Sequence, residues 1–139
     1  MRVGATGPHF SEAELACHHC GVNQCKQALV DALEAFRTIV GKPVVVDSAY
    51  RCPQHNADSG GAVKSEHVEG LAADIRVNGI SATELEAAAR KIHAIRGIGR
   101  NDHQQYIHVD VRPTLTLARW CYSPDGQWCS YYPPLAEAA

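Results

Sequence analysis

Apolar and polar positions follow two different periods along this chain. Over residues 24–40, Leu29, Leu33, Phe36 and Val40 recur at helical spacing with Val30 beside them, which predicts an amphipathic helix. Gly41 fits its stop and Pro43 follows. Val44-Val45-Val46 is a short apolar run of strand type, and the stretch from Ser48 to Lys64, rich in Gly, Pro, Asn and Ser, reads as loop. Ala72 to Val77 reads as a second strand, with Asp74 and Arg76 on the face opposite Ala73, Ile75 and Val77. Ser81 to Glu84 has capping-box spacing and predicts a helix to about Arg96, its inner stripe Leu85, Ala88, Ala89, Ile92 and Ile95, with Gly97-Ile98-Gly99 as its end. Tyr106 to Val111 alternates: Tyr106, His108 and Asp110 share one face, and Ile107, Val109 and Val111 share the other. A further capping box, Ser11 to Glu14, has room for one helical turn.

Strands and helices mix without a regular βαβ rhythm, and neither repeat nor low-complexity linker divides them. The pattern predicts an α+β fold, one domain over residues 1–139, with an antiparallel sheet and helices packed on one side. A hydrophobic content of 45% excludes a disordered chain. Thirteen basic and 15 acidic residues give a net charge of −2 without a basic block, so no nucleic-acid partner is expected. No apolar run approaches the ~20 residues of a membrane span. Met1 to Phe10 lacks the apolar stretch of a signal peptide, so the protein stays inside the cell, is released by other means, or has been trimmed. A monomer is expected.

Six cysteines are many for such a chain. Cys17, Cys20 and Cys25 cluster early, Cys52 stands apart, and Cys121 and Cys129 come late; the connectivity is not readable from spacing alone. Ser123-Pro124-Asp125-Gly126 suits a type I turn in a hairpin that would set Cys121 against Cys129, as a disulfide or as two buried thiols. Cys17-His18-His19-Cys20 carries donors of the structural-zinc type, but four ligands are needed and the sequence shows them only in a loose cluster, so disulfides or unbridged thiols are the preferred reading.

Two segments carry the chemistry. One is Ser65-Glu66-His67-Val68-Glu69-Gly70-Leu71-Ala72-Ala73-Asp74, and the other is Tyr106-Ile107-His108-Val109-Asp110-Val111-Arg112. Charged side chains in strands this apolar need partners, because an unpaired buried charge costs several kcal/mol. One divalent cation satisfies His67, Asp74 and His108 together. Two imidazoles and a carboxylate also leave one position of a tetrahedral metal for water, the pattern of a catalytic site. A lone histidine reads more simply as a satisfied core or surface residue; the pairing of the two segments reverses that preference.

The arrangement Ser-x-His-x-x-Gly-x-Ala-x-Asp followed by His-x-Asp resembles the signature of the zinc D-alanyl-D-alanine carboxypeptidase family, which shares its fold with the hedgehog signalling domain. Ser48-Ala49-Tyr50-Arg51-Cys52-Pro53, His55-Asn56, Gly60-Gly61, Arg112 and Arg119-Trp120 extend the resemblance over about Phe10 to Trp120. It implies that His67, Asp74 and His108 ligate one catalytic Zn2+. It implies that Arg51 faces the substrate carbonyl, where a guanidinium stabilises growing negative charge or instead grips a terminal carboxylate. The implied substrate is the D-amino-acid-containing stem peptide of bacterial peptidoglycan, cut by a carboxypeptidase or an endopeptidase. Its implied place of action is the periplasm or cell wall, as for a phage lysin or a secreted enzyme, and the loop around Asp58 to Lys64 would shape the cleft.

One position departs from the family pattern. Three residues before the second zinc histidine, where many members carry an acid or histidine as general base, stands Gln105. His103, Asp102 and Asp110 are the local substitutes. His103 has an unperturbed pKa of ~6.5 suited to the task, while Asp110 stands on the correct strand face and is equally suited to orient a ligand histidine. Gln105 also keeps open a rival of another class, a zinc-bound hedgehog-like module that binds without cutting.

Overall fold

The computed structural model describes residues 4–58, 65–125 and 128–129. Its elements in chain order are α1 (Glu12–Leu15), α2 (Gln27–Val40), β1 (Val45–Ser48), α3 (Pro53–Asp58), β2 (Ala72–Arg76), α4 (Ala82–Ala89), β3 (Gly97–Asn101), β4 (Tyr106–Asp110), β5 (Ala118–Tyr122) and β6 (Trp128–Cys129). Both expected capping boxes form: Ser11 Oγ accepts from Glu14 N–H and Ser81 Oγ from Glu84 N–H, and each glutamate reaches back to its cap. Gly41 ends α2 in the left-handed region at φ 67°, donating its N–H to Arg37 O, a conformation that costs glycine no Cβ clash.

The strands form one sheet in the order β1-β2-β4-β3-β5-β6. Leu29, Val30, Leu33 and Phe36 of α2 and Leu85, Ala88 and Ala89 of α4 close one core with Ala73, Ile75, Ile98, Ile107 and Val109. Each Val, Leu, Ile or Phe side chain among them, fully buried, contributes roughly 1.5–3 kcal/mol. The helices therefore cover the apolar face of the central strands, and the face of Asp74 and His108 is left for other work. The fold is the expected single-domain α+β arrangement, with one refinement. The sheet is mixed, because β3 and β5 pair in parallel. β4 ends beside the start of β3, at Gly97↔Asp110, and residues 111–117 pass round that end to begin β5 at Gly97↔Ala118. Entering from the same end makes the pair parallel.

Three local readings change. Residues 53–58, read as loop, form α3, with Pro53 at its first position, where a missing N–H and a fixed φ are tolerated. α4 stops at Ala89, although Ile92 and Ile95 remain buried in the core as its stripe predicted. Gly97-Ile98-Gly99, read as a helix end, is the first half of β3. Asp110 and Trp120 supply the reason for glycine there. A Cβ on Gly97 would lie 2.3 Å from Asp110 Oδ2, and one on Gly99 would lie 2.4 Å from Trp120 Nε1.

The late hairpin pairs β5 with β6 and sets Cys121 opposite Cys129; Cys121 is disulfide-bonded. Gly126 of the expected turn lies outside the described residues, as does the cleft loop beyond Asp58 up to Lys64. Among the described residues no helix is long and apolar enough to cross a membrane.

Candidate metal centre

Strand register builds most of the site. Ser48 stands opposite Asp74, Asp74 opposite His108, His108 opposite Gly99, and Gly99 opposite Trp120. One row thus crosses five strands, and period-two alternation sends Asp74 and His108 out on the same face. His67 arrives from the turn before β2. That turn is closed by Val68 N–H to Ser65 O, Gly70 N–H to His67 O and Leu71 N–H to Glu66 O. Gly70 sits at φ 75°, and a Cβ there would meet Gln24 O at 2.2 Å. Only glycine combines that φ with so close a backbone.

His67, Asp74 and His108 present donor atoms that all lie within 4.8 Å of one another, a group that could hold a metal ion. His67 Nε2 lies 3.3 Å and His108 Nδ1 3.2 Å from the same oxygen, Asp74 Oδ1. The far nitrogen of each ring is already engaged. His67 Nδ1 is 2.7 Å from Ala49 O, and a carbonyl only accepts, so Nδ1 carries the proton and Nε2 offers its lone pair inward. His108 Nε2 is 2.7 Å from Asp110 Oδ2, which aims Nδ1 inward. Such carbonyl and carboxylate partners behind histidine fix the tautomer and ring orientation of metal ligands.

Asp110 is itself held. Arg112 donates to it from Nε at 2.8 Å, from Nη2 at 2.7 Å and from its backbone N–H at 3.2 Å. The Arg112 guanidinium lies 5.1 Å over the Trp120 ring, and that ring is 5.1 Å from His108. Arg51 donates from Nη2 to Asp74 Oδ2 at 3.1 Å and from Nε to Ser48 Oγ at 3.0 Å, so it touches the outer oxygen of the carboxylate and leaves Oδ1 to the histidines.

Charge balance follows from these contacts. Burial opposes ionisation of Asp74, yet His67 and His108 hold its carboxyl well below the usual range. Burial likewise opposes charge on His108, but hydrogen bonds to Asp110 and Asp74 outweigh it and raise the imidazole to about 9. His108 thus lies between the carboxylates of Asp74 and Asp110, and a cation bound there would compete with its proton.

The other expected residues lie outside the group formed by His67, Asp74 and His108. His103 is exposed in the turn between β3 and β4, its backbone N–H bonded to Asn101 Oδ1. Asp102 pairs with Arg100. Gln105, at φ 55°, turns its side chain away toward α4: Oε1 accepts from Ala82 N–H at 2.7 Å and Nε2 donates to Asp102 O. Sequence reasoning did not single out Tyr122. It stacks near Tyr106 at 6.1 Å, and burial followed by the Asp74 charge raises both phenols. The alternation of Trp120 and Tyr122 in β5 was the signal for it. A cavity of about 380 Å³ lined by Arg76, Gly79, Ser81 and Gln105 shares no residue with the metal-type group, and its lining lacks a ligand set.

Cysteine placement divides four thiols into two kinds. Cys17, Cys20 and Cys52 form a second group of metal-type donors. Burial works against ionisation of Cys17, but backbone N–H bonds from Cys52, Cys20 and His19 outweigh it and bring the thiol down to about 7. Cys25 donates to Leu15 O, and burial pushes it up to about 11.

A family model described as Peptidase M15 matches residues 8–110. The peptidoglycan L,D-endopeptidase MepK of Escherichia coli (strain K12) is 32% identical over 92 residues, covering 61% of this chain and 50% of that protein. MepK of Shigella flexneri matches to the same extent. The chain spans about half the length of the curated relatives it matches.

Proposed function

The chain belongs to the peptidase M15 family, and on that premise we infer that it is a zinc metallopeptidase hydrolysing D-amino-acid-containing peptides of bacterial peptidoglycan. The observation that carries this is the pair of inward nitrogens, 3.3 and 3.2 Å from one Asp74 oxygen. Ligand atoms on a tetrahedral zinc at ~2.0–2.1 Å stand ~3.3 Å apart, so His67 Nε2, Asp74 Oδ1 and His108 Nδ1 suit that ion. When bound, zinc supplies an acidified water and a Lewis acid for the scissile carbonyl.

The chain's own residues do the rest. Arg51, fixed by Ser48 and Asp74, offers its remaining N–H groups to the carbonyl oxygen, or to the terminal carboxylate of the peptide. Asp110 orients His108 through Nε2. With Asp110 bonded to both His108 and Arg112, we assign proton transfer to His103. The likeness to an enzyme named for L,D-endopeptidase activity favours internal cleavage of the stem peptide over release of a terminal D-Ala.

The test is hydrolysis of purified sacculi and of defined stem peptides by the whole chain, with and without chelator, beside zinc content in His108→Ala. Chelator-sensitive cleavage and loss of one zinc from the variant are expected; full zinc in His108→Ala overturns the ligand set. His103→Ala should lower kcat by about 10²–10⁴, and wild-type turnover in that variant removes His103 from the mechanism. The orientation of Gln105 toward α4 favours one rival, a zinc-bound wall-binding module: zinc and sacculus binding without turnover would establish it.

A further inference from the structure

The sulfurs of Cys17, Cys20 and Cys52 lie within 4.8 Å of one another, in a group separate from His67, Asp74 and His108. We propose that Cys17, His19, Cys20 and Cys52 form a second metal site, a structural zinc centre of three thiolates and one imidazole.

Four observations support it. First, Cys52 Sγ lies 3.4 Å from His19 Nδ1. Sulfur and nitrogen on one tetrahedral zinc stand ~3.5 Å apart, so this pair suits a shared ion; the group drawn together within 4.8 Å is the three sulfurs alone, and the exposed His19 ring would turn in from Cys52 to complete it. Second, the backbone between the first two cysteines is a tight knuckle. Gly21 N–H donates to Cys17 O at 2.8 Å, Cys17 N–H donates to Val22 O at 2.8 Å, and Gly21 sits at φ 76°. The turn folds Cys20 back beside Cys17. Third, Cys17 Sγ accepts backbone N–H from His19 at 3.4 Å and from Cys52 at 3.3 Å. Donors aimed at a sulfur from two separate segments stabilise a thiolate rather than a thiol. Fourth, the three sulfurs are in no disulfide although they are close. Any disulfide among them leaves an odd thiol, whereas one zinc uses all three. Cys25 is excluded by its own geometry, since its thiol points to Leu15 O.

Binding exchanges the thiol protons for the metal, and the protons go to solvent. The ion ties the turn after α1 to the segment after β1, joining positions 17 and 52 across a long loop. Cys52 directly follows Arg51, so the tie holds the stretch that delivers the guanidinium to Asp74. The site is structural because its ligand set is complete without water.

Cobalt substitution tests this without a variant. The whole chain, stripped and loaded with Co2+, should show sulfur-to-cobalt charge-transfer absorption in the near ultraviolet, which nitrogen and oxygen ligands do not give. His67→Ala should keep that band and still hold one zinc, which separates this site from the His/Asp centre. Cys20→Ser should weaken the band and lose about one zinc per chain; its side chain is exposed, so folding is least at risk there. His19→Ala should shift the visible bands and loosen the metal. Alkylation after denaturation with chelator should count the four thiols Cys17, Cys20, Cys25 and Cys52. Absence of the charge-transfer band, undiminished zinc in Cys20→Ser, unaltered spectra in His19→Ala, or a count of two thiols would each overturn the proposal.

Discussion

His67, Asp74 and His108 stand on or beside strands that the sheet already fixes, whereas Cys17, Cys20 and Cys52 stand on the connecting segments after α1 and β1. In the first cluster each imidazole is braced from behind, His67 by Ala49 O and His108 by Asp110. In the second, bracing comes from backbone N–H groups that point at one sulfur. The difference bears on what each can do. Braced imidazoles and a carboxylate keep donor atoms aligned before any ligand arrives, as a site needs if geometry is to serve chemistry. Thiolates on connecting segments, gathered by one metal, would add its binding free energy to the folding of those segments.

Arg51 is where the two clusters meet, which makes it the sharpest probe of the contrast. Arg51→Ala should lower kcat on a stem peptide by about 10²–10³-fold, the usual loss when a donor to growing negative charge is removed. Zinc at the His/Asp centre should stay, because Arg51 touches Asp74 Oδ2 and leaves Oδ1 untouched. Steady-state kinetics with metal analysis on the same preparation checks this. Unchanged kcat/KM would take Arg51 out of the reaction, and lost zinc would make it a brace for Asp74 instead.

A smaller effect is expected behind His108. Asp110→Asn should weaken metal binding at the His/Asp centre by about 10–100-fold, with the cysteine cluster unaffected. Gly97→Ala should imitate it, since the new Cβ would lie within 2.5 Å of the Asp110 carboxylate and must push it aside. Competition titration against a chromophoric chelator measures both. Wild-type affinity in Asp110→Asn would mean that the register of β2 and β4 alone holds His108.

How far the sequence reveals this depends on what sets each position. In β4 the alternation read correctly, because Ile107 and Val109 bury against the helices and leave Tyr106, His108 and Asp110 for the other face. The capping boxes and Gly41 read correctly because they act within one helical turn. β3 did not. Its glycines yield space to Asp110 and Trp120 from neighbouring strands, and a local pattern holds no record of a neighbour. α3 was too short for a period to appear. In the site, Asp74 and His108 followed from alternation and His67 from the motif. The bond from His67 to Ala49 O and the grip of Arg112 on Asp110 depend on how loops pack on the sheet.

Gln105 should give the smallest effect of all. A glutamate there looks at first like restoration of a general base, and in a straight strand its side chain would be one position away from the His108 face. The turn at φ 55° instead carries the side chain toward α4, where Oε1 accepts Ala82 N–H at 2.7 Å and Nε2 donates to Asp102 O. In Gln105→Glu the first bond survives and is strengthened, because a carboxylate at the first residues of a helix interacts favourably with its dipole, by roughly 0.3–1 kcal/mol. The second bond is lost, since the carboxylate has no N–H, and a net hydrogen bond is worth about 0.5–1.5 kcal/mol. The two nearly cancel. Stability should therefore move by less than about 1 kcal/mol by denaturant titration, and kcat should stay within about twofold, because the new carboxylate faces the helix and not the metal-type donors. A tenfold gain in kcat would mean that the turn swings the introduced carboxylate round to the site, and would return the family's base position to the mechanism in place of His103.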